Sequence, residues 1–196
     1  MIYRCIALAL CIGLTACATP NRRVAANPAL LAELQLREQA LGEQDFSLSG
    51  RIALSNGVDG GSGRFAWQQR GAALKFSLSA PLSNQTWNLD GQPGAFRLVD
   101  SAGRVHEAAD AQQLVFEVSN WTIPVAELKY WARGMRAPGG PAIPQFDGNG
   151  RLLSLAQSGW LIEYAAWGAG NPALPLKLKL SRDSATVKVV VKQWQP

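Results

Sequence analysis

The sequence predicts a mainly β fold with a few helices: a curled antiparallel sheet of roughly nine to eleven strands, an unclosed half-barrel, covered by about three amphipathic helices that enclose an apolar cavity. Three observations predict it. Apolar residues alternate with polar ones at period two over most of the chain from Phe46 onward. Helical spacing interrupts that alternation after Asp110 and again after Pro124, and it precedes the alternation after Asn27. The 196 residues, 47% hydrophobic and 17% charged, suit one globular domain, assigned to residues 27–196.

The first helix starts at Asn27-Pro28, with Asn as N-cap and Pro at the first helical position. It carries Leu30, Leu31, Leu34 and Leu41 on one stripe and ends at Gly42. Strands follow: Phe46, Leu48, Ile52 and Leu54 alternate with Ser47, Ser49, Arg51 and Ser55, then Phe65 and Trp67 with Arg64 and Gln68, then Leu74, Phe76 and Leu78 with Lys75 and Ser77. Between the first two strands, the run Gly57 to Gly63 lacks the Lys of a phosphate loop and reads as a flexible hairpin. Further strands are Gln85 to Asp90, Ala95 to Asp100 and a short one at Arg104 to Glu107. Asp110 and Gln113 resemble a capping box ahead of Ala111, Leu114, Val115 and Val118, which share one helix face. A third helix runs from Pro124 to Gly134, Pro138 to Pro144 reads as a surface loop, and strands resume at Leu152 to Gln157, Trp160 to Ala165, Leu174 to Leu180 and Thr186 to Trp194.

Several chemistries are disfavoured by composition. With one histidine, His106, a multi-histidine metal site is impossible, and His106 itself reads as a surface residue between Arg104 and Glu107. No G-x-S-x-G, H-E-x-x-H, C-x-x-C or nucleotide-binding G-x-x-x-x-G-K motif occurs, so neither an enzyme nor a cofactor is expected. Nineteen basic against fourteen acidic side chains give a mild net charge of +5, too little to argue for nucleic acid.

Residues 1–16 read as an export signal: Arg4, an apolar run from Cys5 to Leu14 too short to span a bilayer, then small residues. Leu14-Thr15-Ala16-Cys17 resembles the bacterial lipobox, which implies a mature chain beginning at a triacylated Cys17 and a lipidated tether over residues 17–26. Cys5 and Cys11 would leave with the signal, so no thiol remains for a disulfide. Ala18 stands where lipoproteins retained in the inner membrane often carry Asp, and the resemblance therefore implies the periplasmic face of the outer membrane.

The order of further segments resembles the LolB family. They are Gly50-Arg51-Ile52, Phe65 to Gln69, the Pro81-Leu82 turn, Ile123-Pro124 through Leu128 to Gly134, Gln157 to Trp160 with Tyr164, Leu174-Pro175 and the terminal strand Val189 to Trp194. Ala80-Pro81-Leu82-Ser83 keeps the family's Pro-Leu without its flanking glycines. The resemblance implies a monomeric receptor that accepts triacylated lipoproteins from the periplasmic carrier LolA and inserts them into outer-membrane lipid. It also implies that Leu82 touches that membrane. Trp67, Phe76, Leu78, Trp87, Phe96 and Trp131 are the candidates for lining an acyl-chain cavity, with ordinary core packing as the alternative for each. Lys177, Lys179, Lys188 and Lys192 are the candidates for meeting the carrier, with a solvated outer face as the alternative. Two other functions stay open: an envelope lipoprotein with another apolar cargo, or an interaction lipoprotein whose core is filled.

Overall fold

The period-two segments become strands because alternate side chains point to opposite faces, so one apolar set can be buried while the other stays in water. The computed structural model describes residues 23–42, 44–80 and 85–195, and Cys17, Pro81 and Leu82 lie outside the described residues. In chain order the elements are β1 (Val24–Ala25), α1 (Pro28–Leu41), β2 (Phe46–Ser55), β3 (Gly60–Arg70), β4 (Ala73–Ala80), β5 (Gln85–Gln92), β6 (Ala95–Val99) and β7 (Val105–Ala108). There follow α2 (Ala111–Ser119), α3 (Val125–Trp131), β8 (Ala142–Phe146), β9 (Leu152–Gln157), β10 (Trp160–Trp167), β11 (Pro175–Arg182) and β12 (Ala185–Gln195).

All strand pairs are antiparallel and make one sheet in the order β1-β8-β9-β10-β11-β12-β2-β3-β4-β5-β6-β7. The sheet is unclosed, since β1 and β7 are its two edges. Two meanders, β2 to β7 and β8 to β12, are joined by the pairing of β12 with β2, where Val189 faces Ile52 and Val187 faces Leu54. The helices α2 and α3 lie in the connection between the two meanders.

The N-caps of α1 and α2 follow the sequence. Asn27 Oδ1 accepts from the Leu30 N–H at 3.0 Å and Asp110 Oδ1 from the Gln113 N–H at 2.8 Å. Only the aspartate half of the expected capping box forms, because the Gln113 amide donates to Glu117 at 2.8 Å. The Gly57 run is a tight turn in which Asn56 Oδ1 accepts from the Val58 and Asp59 N–H groups, and Gly60 to Gly63 already belong to β3.

Two strands differ from expectation and bring the count to twelve, against the roughly nine to eleven expected. Val24 and Ala25, read as tether, pair with Phe146 and Gln145 as β1, and Ala142 to Phe146, half of it read as loop, is β8. A two-residue strand has no periodicity to detect. Pro144 marks β8 as a loop on paper, yet it takes its place opposite Leu155 of β9, near the sheet edge where β1 reaches only Gln145 and Phe146.

The core divides into two clusters on the helix-covered face. One gathers Leu34 of α1, Trp131, Leu155, Trp160, Ile162, Leu178 and Leu180. The other gathers Phe46, Leu48, Phe65, Trp67, Leu89, Phe96, Leu98 and Leu114 of α2. Ile52, Val189 and Leu128 touch both and bridge them where β12 meets β2.

Candidate acyl-chain site and outer basic face

Register assembles most of the expected lining. Trp67 faces Phe76, which faces Leu89, and one step along Phe65 faces Leu78, which faces Trp87. Side chains two residues apart share a face, so Trp67, Phe76, Leu78 and Trp87 stand together, with Phe96 in the same cluster. The rings pack on one another: Phe46 to Trp67 centroids lie 5.7 Å apart, Trp67 to Phe76 6.3 Å and Phe65 to Phe76 6.0 Å.

Trp131 belongs to the other cluster and is fixed by hydrogen bonds. Its Nε1–H donates to Gln157 Oε1 at 2.9 Å, and the same oxygen accepts the Ala137 N–H at 2.9 Å. Gln157 Nε2 donates to the Ala137 carbonyl at 2.7 Å, and the Tyr164 hydroxyl donates to the Trp131 carbonyl at 2.9 Å. Burial pushes the Tyr164 phenol well above its ordinary range, which keeps it a donor.

The apolar interior expected between sheet and helices is present. Trp67, Phe96 and Trp131 are buried, while Phe76, Leu78 and Trp87 are half-buried. Two clefts among the described residues lie elsewhere. One of about 200 Å³ opens beneath the α2–α3 connection at Asn120 to Ile123, against the ends of β2, β10, β11 and β12. A groove of about 100 Å³ lies on the outer face between Arg23, Ile143, Leu161 and Glu163. Neither touches the six expected lining residues. Both fall below the ~300 Å³ at which sites for drug-sized ligands begin.

The helices are held unequally. Three arginines that carry no signal in the sequence clamp α1 to the segment after α3. Arg37 donates to the carbonyls of Arg133 and Ala173, each at 2.6 Å, and lies 5.0 Å over the Trp167 ring. Burial lowers its guanidinium to about 10, with Tyr164 opposing and the Arg133 charge reinforcing the shift. Arg133 donates to the Leu41 carbonyl and stacks 4.5 Å over Phe46, while Arg136 grips Glu38 through contacts of 2.8 and 2.7 Å. In contrast, α2 makes only local side-chain hydrogen bonds among the described residues and rests on the sheet through Ala111, Leu114, Val115 and Val118.

On the outer face, Lys177, Lys179, Lys188 and Lys192 are all exposed. Lys179 stands opposite Lys188, with Glu163 as a partner at 3.3 Å. The sheet adds two cations that sequence reasoning missed: Arg51 and Arg64 face each other, and Arg51 also faces Val190, which faces Lys177. The signal was in the alternation, since each precedes a core residue, but only the register joins them to the lysines.

His106, expected free at the surface, is half-buried and lies 3.2 Å from Asp100, which also takes the Arg104 Nε–H at 2.7 Å. Burial alone would raise the Asp100 carboxyl. The hydrogen bonds from His106, Arg104 and the Ala102 and Arg104 N–H groups outweigh it and hold the group well below the usual carboxylate range. The cluster closes the β6–β7 turn.

Comparison with known proteins places this architecture. Among solved structures, a LolA superfamily protein from Nitrosomonas europaea superposes with a TM-score of 0.51 at 10% identity, covering 88% of this chain and 93% of its own. A DUF1329 family protein from Desulfovibrio piger gives 0.53 at 7% identity, covering 85% and 91%. Both likenesses concern the fold. In sequence, the outer-membrane lipoprotein LolB of Xanthomonas euvesicatoria is 35% identical over 93% of this chain and 91% of its own length. That of Xylella fastidiosa strain Temecula1 is 36% identical over 95% and 90%. The family model described as outer membrane lipoprotein LolB matches residues 44–194, from just before β2 to the end of β12. The chain therefore belongs to the outer membrane lipoprotein LolB family.

Proposed function

We propose that this protein is an outer-membrane receptor that accepts lipoproteins from the carrier LolA and inserts them into the inner leaflet, holding their acyl chains in its apolar interior without nucleotide. The observation that carries this is the apolar interior roofed by a helix with no polar tie to the sheet among the described residues, in a chain of this family. Exposing three chains of ~15 methylenes to water costs about 35 kcal/mol at ~0.8 kcal/mol each, so a lipoprotein crosses the periplasm only inside protein. The interior with its rings packed on one another is the receptor's state without cargo. Cargo enters by displacing α2, exchanging Leu114, Val115 and Val118 contacts for acyl contacts at little net cost, since both are apolar.

Lipid at Cys17 keeps the receptor at the periplasmic face, and three chains exceed what stable anchoring needs. The basic outer face, Lys177, Lys179, Lys188 and Lys192 with Arg51 and Arg64, meets an acidic carrier surface and speeds encounter. Pro81 and Leu82 reach the leaflet into which cargo is delivered.

The test mixes a Cys17→Ala form, without ATP, with LolA carrying a labelled lipoprotein. Label co-migrating with this protein supports the reading. Label remaining on LolA at micromolar concentrations of both proteins overturns it.

A further inference from the structure

The cleft beneath the α2–α3 connection is built differently from the interior it adjoins. Trp160 forms part of its wall and is only 2% exposed, yet its Nε1–H is the one fully buried side-chain polar atom without a hydrogen-bond partner among the described residues. An orphaned buried donor is costly, and the residue that carries it lines the cleft. The Arg182 guanidinium lies 4.8 Å over the Trp160 ring and lines the same cleft, making no ion pair among the described residues. Asp183 lines it too, and the Ser184 and Thr122 hydroxyls complete a polar rim. Deeper in, Val187 and Trp160 belong to the first core cluster, so the cleft has a polar mouth and an apolar floor.

That chemistry selects a ligand. One cation and one anion give the mouth no net charge, and the Asp183 carboxylate opposes a phosphate, so a neutral acceptor suits it better than a charged headgroup. A cleft of about 200 Å³ is too small for whole acyl chains but fits a small polar group with the first carbons of a chain. We infer that Trp160 and Arg182 form a head-group site that takes an ester or amide carbonyl of the acylated N-terminal cysteine of a lipoprotein, while its chains run inward over the sheet. The inference rests on the acyl-carrying role proposed above. It adds a polar register point: as the cleft wall parts to uncover the Trp160 Nε1–H, the carbonyl oxygen accepts from it, fixing how far the chains enter.

The test titrates the Cys17→Ala chain with two probes, a synthetic tripalmitoyl-S-glyceryl-cysteinyl peptide and a pyrene-labelled hexadecane that has no carbonyl. Trp160→Phe, which keeps the ring and removes the donor, is expected to weaken lipopeptide binding about tenfold and leave hydrocarbon binding unchanged. The ¹⁵N-edited indole N–H signal that vanishes in this variant, one of seven tryptophans in the chain, is expected to move downfield in the unsubstituted protein when lipopeptide binds and to stay put with the hydrocarbon. Equal weakening of both probes, unchanged lipopeptide affinity, or an indole signal indifferent to lipopeptide overturns the head-group site while leaving the acyl-carrying role intact. Failure of the unsubstituted protein to bind either probe overturns both.

Discussion

Gly134 leaves no room for a side chain against Trp167: a Cβ there would lie 2.5 Å from the ring, and the φ of +70° is one that side chains rarely adopt. The same ring carries Arg37 at 5.0 Å, so this glycine sets the close approach that lets α1 clamp the segment after α3. Gly134→Ala is expected to destabilise the fold by about 2–3 kcal/mol, combining backbone strain with the clash. Urea unfolding measures it, and a loss under about 0.5 kcal/mol shows that the ring simply moves aside.

Gln157 supplies one acceptor to two buried donors and one donor to a buried carbonyl. Gln157→Leu keeps the volume roughly constant and strands all three groups, with an expected cost of about 3 kcal/mol. Denaturation curves placing Gln157→Leu within about 0.5 kcal/mol of the unsubstituted protein would show that the network is incidental to stability.

Because the Asp100 carboxyl is depressed in the folded state, it contributes stability that is present above its unfolded value, near ~3.9, and is lost as pH falls through the folded value. Asp100→Asn should lower the melting temperature at pH 7, and the gap from the unsubstituted protein should narrow steadily as pH falls below about 4. Thermal melts across that range decide it: a gap that stays constant with pH means the ion pairs with Arg104 and His106 contribute nothing through charge.

The proposed role of the basic outer face is in encounter, a long-range effect that salt screens within about 10 Å at 0.1 M. Lys179→Glu with Lys188→Glu should slow lipoprotein uptake from LolA at low ionic strength, with the difference shrinking as salt rises. Stopped-flow transfer rates read this, and a salt-independent difference would assign the two lysines to docking contacts instead.

Leu82 is expected to act after loading. One leucine side chain entering lipid contributes about 2 kcal/mol, enough to orient a protein already tethered but not to anchor it. Leu82→Glu should leave uptake from LolA intact and slow insertion into liposomes, so loaded receptor accumulates. Measured separately, insertion at the normal rate would remove the turn from the mechanism.

How much was legible beforehand follows from the range of the forces involved. Alternation around Phe65 and Trp67, the Asn27 and Asp110 caps and the positive-φ Gly134 in the turn after α3, which stops at Trp131 rather than at the glycine, are set by neighbours within a few residues, so the sequence alone determined the sheet class, three helices and the face each strand buries. The ordered segments that resemble LolB were likewise readable in one dimension. What only the tertiary structure decided depends on partners far apart in the chain. The pairing of β12 with β2 bridges the two clusters and sets Arg51 and Arg64 beside the lysines, the Arg37, Arg133 and Arg136 clamps reach across roughly a hundred residues, and Gln157 is matched to Trp131. The packed interior is decided there as well. Whether Trp67 and Phe76 line a space or fill it depends on how close the sheet and α2 approach, a distance that side-chain volumes across the whole core fix together and no local pattern encodes.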